Sequence, residues 1–259
     1  MTNILVTGAS GQLGRAIQAI SNQYTGCRFH FTDRAELDIT NGDAIASLFG
    51  ENTFDYCINC AAFTNVEGSE REPEKAYAVN DRAVGNLARE CREHSVTLIH
   101  ISTDYVFDGL KESPYLPSDR PNPINEYGRS KWEGEKKIEK TLKEFYIVRT
   151  SWLYSEQGRN FYTTIVSKAA ESSVIQVTDQ QKGCPTHVNN LAEFILKEII
   201  GRNPAFGIYH YTDGEAMTWF DFARKIVEAE NLEGKVTIEK AKNYRTFAAR
   251  PKNSVLIQS

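Results

Sequence analysis

Short apolar segments alternate with amphipathic stretches along the first 150 residues of the chain. This is the pattern of repeated βαβ units around a parallel sheet. Strands are predicted at 4–7, 27–32, 55–60, 96–101 and 145–149, and helices at 12–22, after 38–41, at 73–94 and at 126–143. The pattern therefore predicts an α/β fold with a Rossmann-like, doubly wound parallel sheet.

The pattern changes after Arg149. Further elements are predicted as helices at 160–171, 189–200 and 218–230 and as strands at 174–177, 208–211 and 236–239. We expect residues 1–150 to form the sheet domain, with 172–200 returning to it. Residues 151–171 and 201–259 are expected to form a small α/β lobe over the carboxyl ends of the strands, where open α/β sheets bind ligands.

Composition narrows the class of protein. The 259 residues are 41% hydrophobic and 25% charged with a net charge of −4, which suits a globular protein and leaves no basic footprint for nucleic acid. No segment approaches the roughly 18–20 apolar residues of a membrane span, and the first residues lack the features of a secretory signal. We expect a cytoplasmic protein that binds neither nucleic acid nor membrane.

Five cysteines, an odd number, lie in apolar stretches and favour reduced thiols. Cys57 and Cys60 form a C-x-x-C, but they fall in a predicted buried strand without a second ligand pair, so we interpret them as core residues. The five histidines have no metal-ligand spacing and are interpreted as structural or surface residues. No metal is predicted.

Glycines at spacings of three and three follow the first strand and open the first helix. Such a turn lets the backbone approach a pyrophosphate, which then lies against unpaired N–H groups at the positive end of the helix dipole. This context favours a dinucleotide cofactor. Its predicted binding residues in this turn are Gly8, Gly11, Gln12, Leu13 and Gly14.

The second strand ends at Asp33 and Arg34, whose side chains favour different cofactors. An acidic residue accepts hydrogen bonds from the adenosine ribose of NADH, whereas Arg pairs with the 2′-phosphate of NADPH. We predict use of both, with a modest NADPH preference. Asp38 and Ile39 are predicted to flank the adenine. The middle of the cofactor is predicted to meet Ala61, Ala62, Phe63 and Thr64.

Tyr127 and Lys131 form a Tyr-x-x-x-Lys pair on one face of a predicted helix, and Thr103 follows the fourth strand. Reduction of a ketone by hydride leaves an alkoxide that needs a proton. A tyrosine phenol has a pKa near about 10, and a nearby ammonium lowers it. We predict Tyr127 as proton donor, Lys131 as its partner and ribose ligand, and Thr103 as a donor to the carbonyl oxygen. Asn80 is predicted to anchor backbone or a water.

Several motifs spread over nearly the whole chain resemble one family, the dTDP-4-dehydrorhamnose reductases. The most specific are STDYVFDG at 102–109 and RTSWLY at 149–154. The others are GASGQLG at 8–14, LDIT at 37–40, NCAAFTNVE at 59–67, YGRSKWEGE at 127–135, QKGCPT at 181–186 and RPKNSVL at 250–256.

This resemblance implies NAD(P)H-dependent reduction of the 4-keto group of dTDP-4-dehydro-β-L-rhamnose to dTDP-L-rhamnose. It implies that Tyr127, Lys131 and Thr103 are catalytic, that Thr103, Asp104 and Trp152 contact the sugar nucleotide, and that Arg250 meets the diphosphate or is structural. Arg15 stands where some members carry a glutamate used in a magnesium-bridged dimer, so that metal is not implied here.

Two alternatives stay open at this point. One is another nucleotide-sugar ketoreductase or an epimerase on the same scaffold, although epimerases generally need a larger substrate lobe. The other is a regulatory subunit similar to the β subunit of methionine adenosyltransferase, against which the intact set of Thr103, Tyr127 and Lys131 argues. The expected partner is a dTDP-sugar substrate, and a homodimer is compatible with the sequence.

Overall fold

The structure, a computed structural model, describes residues 1–242 and 245–258. Its helices are α1 (Gln12–Ile20), α2 (Gly42–Glu51), α3 (Val66–Arg71), α4 (Pro73–Tyr77), α5 (Ala83–Glu93), α6 (Glu126–Thr141), α7 (Phe161–Glu171), α8 (Val188–Glu193) and α9 (Trp219–Ala229). Its strands are β1 (Thr2–Thr7), β2 (Cys27–Thr32), β3 (Tyr56–Asn59), β4 (Thr97–Thr103), β5 (Phe145–Thr150), β6 (Leu153–Tyr154), β7 (Val174–Val177), β8 (Lys182–Gly183), β9 (Thr186–His187), β10 (Gly207–His210), β11 (Met217–Thr218) and β12 (Thr237–Lys240). The π-helical segments Ala78–Arg82 and Phe194–Gly201 continue α4 and α8.

Six parallel strands form the central sheet in the order β10-β5-β4-β3-β1-β2. The strand order reverses between β1 and β3, because β1 lies between its sequence neighbours β2 and β3. In open α/β sheets, ligands bind in the crevice beyond the carboxyl ends of the strands at such a point. The predicted doubly wound parallel sheet is confirmed, and its crevice is the place to look for a site.

Helices cover the sheet on both faces, and the apolar side chains of β1, β3 and β4 alternate between two cores. One core joins Leu5, Cys57 and Leu98 to α2, α5 and α6. The other joins Ile4, Ile58 and Ile99 to α1 and α8. Strands buried on both faces explain the continuous apolar runs in the first half of the sequence. Within the two described ranges, no helix combines the length and apolarity needed to cross a membrane.

The sixth strand of the sheet is not the one expected from the sequence. Val174–Val177 is a strand, but it pairs in parallel with β12 in a separate two-stranded sheet. β10 lies next to β5 instead, so residues 207–210, which the sequence placed in the small lobe, belong to the main sheet. Both segments are short and apolar, and their partners come from distant parts of the chain, so local pattern does not decide between them.

The small lobe is built from α7, α9, β7 and β12 around its own apolar cluster. Capping boxes begin both helices: Asn160 caps α7 together with Thr163, and Thr218 caps α9 together with Asp221. The proline-rich loop at 107–125 packs on the main domain. There Tyr115 is buried, stacks on Phe107 with ring centroids 4.1 Å apart, and bonds to the backbone of the C-terminal segment.

Candidate active site

The glycine turn after β1 is shaped by close backbone contacts. Gly8 has φ +68°, and a Cβ there would lie 2.6 Å from the amide nitrogen of Ala61. A Cβ on Gly14 would lie 2.6 Å from Ala9 Cα, so α1 can pack closely on the turn only with glycine. The close packing of this turn requires glycine at both positions, and their contact with a cofactor stays a prediction.

The amino end of α1 is suited to bind an anion. Gly11 is its N-cap residue and supplies no side-chain hydrogen bond to the first turn, so the N–H groups there are not capped. No acidic side chain lies in that first turn. Unpaired N–H groups and the helix dipole favour a negative group at this place, which fits the pyrophosphate of a dinucleotide. Leu13 is buried behind the turn and serves packing.

The side chain of Gln12 bonds to residues outside the glycine turn, and its predicted contact with a cofactor is untouched by these bonds. Its Oε1 accepts hydrogen bonds from Ser155 Oγ at 3.2 Å and from Asn160 Nδ2 at 3.0 Å. Asn160 is the N-cap residue of α7 in the small lobe. Gln12 therefore connects the glycine turn directly to the small lobe through hydrogen bonds.

At the end of β2, Asp33 and Arg34 differ in how they are held. The Oδ1 of Asp33 accepts hydrogen bonds from the backbone of Ala35 and Glu36. The side chain of Arg34 is 86% exposed and lies 3.3 Å from Asp38. Asp33 is thus engaged in its own turn, whereas Arg34 can move toward a ligand phosphate.

Asp38 and Ile39, which are predicted to flank the adenine, are held in different ways. Asp38 accepts hydrogen bonds from the side chain and backbone of Thr40, which lower the pKa of its carboxyl. Ile39 is 4% exposed and belongs to the core against α2, α5 and α6. Ile39 therefore packs in the core, and its contact with a cofactor stays a prediction.

The segment after β3 is held by Asn80, which lies in the π-helical turn between α4 and α5. Its Oδ1 accepts from Phe63 N, and its Nδ2 donates to Phe63 O and to Ser130 Oγ, all at 2.9–3.0 Å. Ala61 and Ala62 are half-buried beside it and Thr64 is exposed. Asn80 therefore anchors backbone as predicted and connects the segment after β3 to α6. Its part in a proton relay stays a prediction.

Thr103 ends β4, and Asp104 follows it as a fully buried carboxyl group. Thr103 Oγ1 donates to Asp104 Oδ1 at 3.0 Å and accepts from the backbone N–H of Tyr105. Burial raises the pKa of Asp104 to about 7, although hydrogen bonds from Ser254 and Thr103 act in the opposite direction. Asp104 thus changes charge close to neutral pH.

Tyr127 lies in the first turn of α6, beside Thr103. Burial raises the pKa of its phenol, a hydrogen bond with Thr103 lowers it, and the nearby charge of Asp104 raises it again. The Tyr127 ring also meets the Tyr105 ring edge to face, with centroids 5.8 Å apart. The net effect keeps the phenol protonated, which is the form that donates a proton.

Lys131 is 2% exposed one helical turn further along α6. Its Nζ donates to the backbone carbonyl of Ile101 at 2.6 Å and lies 3.3 Å from His100 Nε2. Burial lowers the pKa of Lys131 to about 8, and Glu135 and Cys60 act in the opposite direction. In this structure Lys131 thus faces β4, and the charges acting on Tyr127 come from Asp104 and Tyr105.

The amino half of α6 reaches the site because two glycines let it approach neighbouring backbone. A Cβ on Gly128 would lie 2.0 Å from Tyr105 O, and one on Gly134 would lie 2.2 Å from Asn80 O. Asn125 caps the helix through Gly128 N and donates to Ala249 O. These contacts fix the depth at which α6 presents its side chains.

Trp152 follows β5 with φ +48°, a conformation that few residues other than glycine adopt. Its indole stacks on Trp219 of α9 with centroids 3.5 Å apart and an angle of 7°. A Cβ on Gly183 would lie 2.6 Å from the Trp152 ring. Strained backbone that is held by its surroundings is common at binding sites. The neighbouring Trp219, which the sequence analysis did not single out, donates from Nε1 to Gln181.

Arg250 is held by the main domain. Its Nη2 donates to Glu67 at 3.1 Å, and its Nη1 donates to the Tyr105 hydroxyl at 3.3 Å. Burial raises the pKa of Glu67, but bonds from Ala248 N and Arg250 outweigh it, so the net shift is downward. Arg250 therefore fastens the C-terminal segment beside the site, and contact with a diphosphate stays a prediction.

Sequence reasoning missed the buried polar residues beneath Lys131. His100, interpreted as structural or surface, is fully buried in β4 between Asn59 and Lys131. A polar residue inside the apolar run Leu98-Ile99-His100-Ile101 was the only signal available. Within residues 1–242 and 245–258, no three side chains of His, Cys, Asp or Glu group as metal ligands would.

A parallel sheet with a glycine turn after β1, a threonine at the end of β4 and Tyr-x-x-x-Lys on α6 defines an extended short-chain dehydrogenase/reductase. The family model described as RmlD substrate binding domain matches residues 1–259. A relative from Aggregatibacter actinomycetemcomitans named dTDP-4-dehydrorhamnose reductase is 36% identical, over 99% of this chain and 90% of the relative. The chain belongs to the dTDP-4-dehydrorhamnose reductase family.

Two further comparisons bear on cofactor and substrate. The crystal structure of dTDP-4-dehydrorhamnose reductase from Bacillus anthracis str. Ames in complex with NADP has a TM-score of 0.93 and 35% identity, covering 100% of this chain and 92% of that chain. A relative from Streptomyces niveus named dTDP-4-keto-6-deoxy-D-glucose reductase is 38% identical, over 85% of this chain and 76% of the relative. The chain is thus similar to reductases named for different dTDP-linked keto sugars.

Proposed function

We propose that this chain is an NAD(P)H-dependent reductase of the 4-keto group of dTDP-4-dehydro-L-rhamnose, giving dTDP-L-rhamnose. The observation that carries the proposal is the meeting of Thr103 and Tyr127 at the carboxyl end of β4, with buried Lys131 below them. The glycine turn opens at the same edge of the sheet. Membership of the reductase family supports the same substrate class.

Each side chain has a task in the reduction. The nicotinamide, when bound, supplies the hydride that adds to C4 of the sugar. Thr103 turns its hydroxyl from Asp104 Oδ1 to donate a hydrogen bond to the sugar oxygen. The protonated Tyr127 phenol gives its proton to the same oxygen, so the ketone becomes a hydroxyl. Lys131 holds the ribose hydroxyls and, when charged, stabilises the phenolate that remains.

The cofactor is NADPH or NADH, and we expect a modest preference for NADPH. The uncapped N–H groups of α1 suit the pyrophosphate. Exposed Arg34 suits a 2′-phosphate, because its guanidinium can pair with two phosphate oxygens at once. Engagement of Asp33 by its own turn leaves less of its carboxylate for the ribose of NADH.

The substrate lobe is proposed to consist of the elements around the small lobe's apolar cluster, chiefly α7, α9, β7 and β12. Trp152, held by Trp219 and Gly183, presents an indole next to the end of β5. An indole face packs against sugar C–H surface while its N–H donates. Asp104 and Arg250 complete the proposed contacts with the sugar nucleotide.

A second candidate differs only in the sugar. Because a relative that is 38% identical is named for dTDP-4-keto-6-deoxy-D-glucose, reduction of that ketone by this chain is the nearest alternative. Cytoplasmic location and a homodimer stay predictions; sedimentation of the purified protein tests the second.

A substrate panel tests the proposed function. Oxidation of NADPH is followed with dTDP-4-dehydrorhamnose, with dTDP-4-keto-6-deoxy-D-glucose, and with UDP- and GDP-linked 4-keto sugars, and the product is identified. We expect kcat/KM to be highest for dTDP-4-dehydrorhamnose. Faster reduction of another ketone would identify that ketone as the substrate, and reduction of none of these ketones would contradict the proposal that the chain is a reductase.

A further inference from the structure

A continuous chain of buried polar side chains runs beneath the sheet edge to Lys131. Thr7 of β1 donates through Oγ1 to Asn59 Oδ1 at 2.7 Å, and Asn59 Nδ2 lies 3.1 Å from His100 Nδ1. His100 Nε2 lies 3.3 Å from Lys131 Nζ. All four residues are at most 2% exposed. Buried polar groups need partners, so the direction of each hydrogen bond in this chain is constrained.

The direction is fixed at Asn59. The backbone N–H of Ala61, which can only donate, bonds to Asn59 Oδ1 at 3.2 Å, as does the Thr7 hydroxyl. The oxygen of the Asn59 amide therefore faces them, and its NH₂ group faces His100. His100 Nδ1 must accept, so the proton of a neutral imidazole lies on Nε2. Burial lowers the pKa of His100 well below its usual range, so the ring is neutral.

This tautomer directs an N–H toward Lys131. An ammonium group has only donors, so a charged Lys131 and His100 Nε2–H would place two donors 3.3 Å apart. A neutral amine has a lone pair that accepts from Nε2–H, while one of its own N–H groups still donates to Ile101 O at 2.6 Å. The geometry is therefore satisfied by the neutral amine and not by the ammonium.

The other groups that face Lys131 do not reverse this preference. On its own helix, Glu135 favours the charged amine, but Glu135 makes a two-point ion pair with buried Arg149 at 2.7 and 3.0 Å. At the end of β3, Cys60 is a thiol whose pKa is raised by burial, so it carries no charge. Burial itself opposes the ammonium, in agreement with the lowered pKa of Lys131.

We propose that Thr7, Asn59 and His100 stabilise the neutral amine of Lys131 before the cofactor binds, and that Lys131 takes up a proton from solvent when NADPH binds. The anionic cofactor supplies the opposite charge that favours the ammonium, and its ribose hydroxyls offer acceptors away from His100. Thr7, Asn59 and His100 are positioning residues, since they act through Lys131. The inference rests on the cofactor part of the proposed function and not on the identity of the sugar.

Calorimetric titration of the protein with NADPH, in buffers of different ionisation heat, measures the protons taken up per site. For an amine with a pKa of about 8, uptake is about 0.1 proton at pH 7, about 0.5 at pH 8 and about 0.9 at pH 9. The 2′-phosphate, with a pKa of about 6, stays ionised in this range. Uptake that fails to rise between pH 7 and pH 9 in the unaltered protein would overturn the proposal.

Two substitutions of His100 separate positioning from packing. His100→Asn keeps an oxygen near Nδ1 for Asn59 and removes the N–H that faces Lys131, so uptake at pH 8 is expected to fall from about 0.5 to about 0.1 proton per site. His100→Gln places an amide N–H near Nε2 and is expected to keep uptake near 0.5. Equal uptake in the unaltered protein and His100→Asn would show that His100 only fills space.

A change at Asn59 gives the same test without altering His100. In Asn59→Asp the carboxylate can only accept, so His100 must carry its proton on Nδ1 and turn a lone pair toward Lys131. Uptake at pH 8 is then expected to fall as in His100→Asn, and unchanged uptake would contradict the tautomer argument. No sugar is present in these titrations, so their outcome does not depend on which sugar is the substrate. The substrate panel, in turn, does not depend on the protonation state of Lys131 before the cofactor binds.

Discussion

Burial shifts the pKa values of the polar side chains near the end of β4 in opposite directions. It raises the pKa of Tyr127 and of Asp104, and it lowers that of Lys131. Each shift favours the neutral form, because a charge is costly where water is excluded. Tyr127 thus enters the reaction carrying the proton that a reduction consumes.

Replacing Tyr127 by Phe removes that proton and leaves the ring in place. We expect kcat to fall by about 10²–10⁴-fold, the usual contribution of a positioned proton donor, while the Kd of NADPH changes by less than about threefold. Stopped-flow absorbance measures the first, and fluorescence titration measures the second.

Tyr209→Phe is a matched control for this change. Tyr209 lies on β10, and its hydroxyl donates to the backbone of Ala205, away from the cofactor turn. This variant should retain nearly full activity. Activity of Tyr127→Phe within a few-fold of the unaltered protein would remove Tyr127 from the role of proton donor.

We expect Arg34 to determine the preference between NADPH and NADH. Its side chain is exposed, so Arg34→Ala should not disturb the fold, but it removes a charge-assisted contact with a 2′-phosphate. We expect the Kd of NADPH to rise about tenfold and that of NADH to change less than about twofold. Arg28→Ala, at an exposed position near the start of β2, is the control. Parallel changes for both cofactors would contradict this role of Arg34.

Residues were predictable from the sequence where one element carries the whole pattern. Tyr127 and Lys131 are one helical turn apart, and the glycine turn lies between one strand and one helix. The chain of Thr7, Asn59 and His100 crosses three neighbouring strands, and only their register brings the side chains together. For that reason His100 was interpreted as structural or surface, although it contacts Lys131.

At the scale of elements, α6 is placed by close contact with the π-helical turn that precedes α5. Gly134 faces the carbonyl oxygen of Asn80, and the Asn80 side chain bonds to both Phe63 and Ser130. A π-helical turn is uncommon and often lies at a functional site. Here the π-helical turn connects the segment after β3 to α6, the helix of Tyr127 and Lys131.

Gly134→Ala tests this packing. The added Cβ would lie 2.2 Å from a backbone oxygen, so α6 or the π-helical turn must move. We expect the free energy of unfolding to fall by about 1–3 kcal/mol, as in other overpacked interiors, with a lower kcat because Tyr127 moves with the helix. Chemical denaturation and steady-state kinetics measure the two effects.

Gly50→Ala in α2 is the matched control, since no atom lies within 4 Å of its added Cβ. There the same substitution should leave kcat unchanged and raise the free energy of unfolding by about 0.4–1 kcal/mol, because alanine favours a helix. A Gly134→Ala protein as stable and active as this control would show that the close contact does not place α6.

Strands and helices of the first half were predictable because each repeats the same local pattern of apolar segment and amphipathic helix. The exchange of β7 and β10 was not, since both are four-residue apolar strands and their pairing depends on distant partners. The proline-rich loop at 107–125 likewise gave no sign of its bonds to the C-terminal segment, which is 140 residues away in the sequence at Tyr115 and Val255.

Across the whole molecule, buried titratable groups make stability depend on pH. The folded-state pKa of Asp104 is about 7, above the ordinary value of 3.8, so the folded protein binds more protons between these values. Its contribution to stability is therefore present below pH 3.8 and is lost as pH rises to about 7. His210 acts in the opposite direction, because burial lowers its pKa to about 3.

Comparison with Asp104→Asn isolates the carboxyl group. Between pH 4 and pH 8 we expect the unaltered protein to lose on the order of 3 kcal/mol of unfolding free energy relative to the variant. Urea denaturation at several pH values measures this difference, since His210 contributes equally to both proteins. A difference that stays constant with pH would mean that Asp104 is ionised throughout.

Transfer of hydride from the nicotinamide to C4 of a dTDP-linked 4-keto sugar is tested most directly by isotope labelling. NADPH deuterated at C4 of the nicotinamide, on each face in turn, is incubated with dTDP-4-dehydrorhamnose and the protein, and the product is examined by NMR. We expect dTDP-L-rhamnose with deuterium at sugar C4 from one face only. A product without deuterium at that carbon from either face would contradict it.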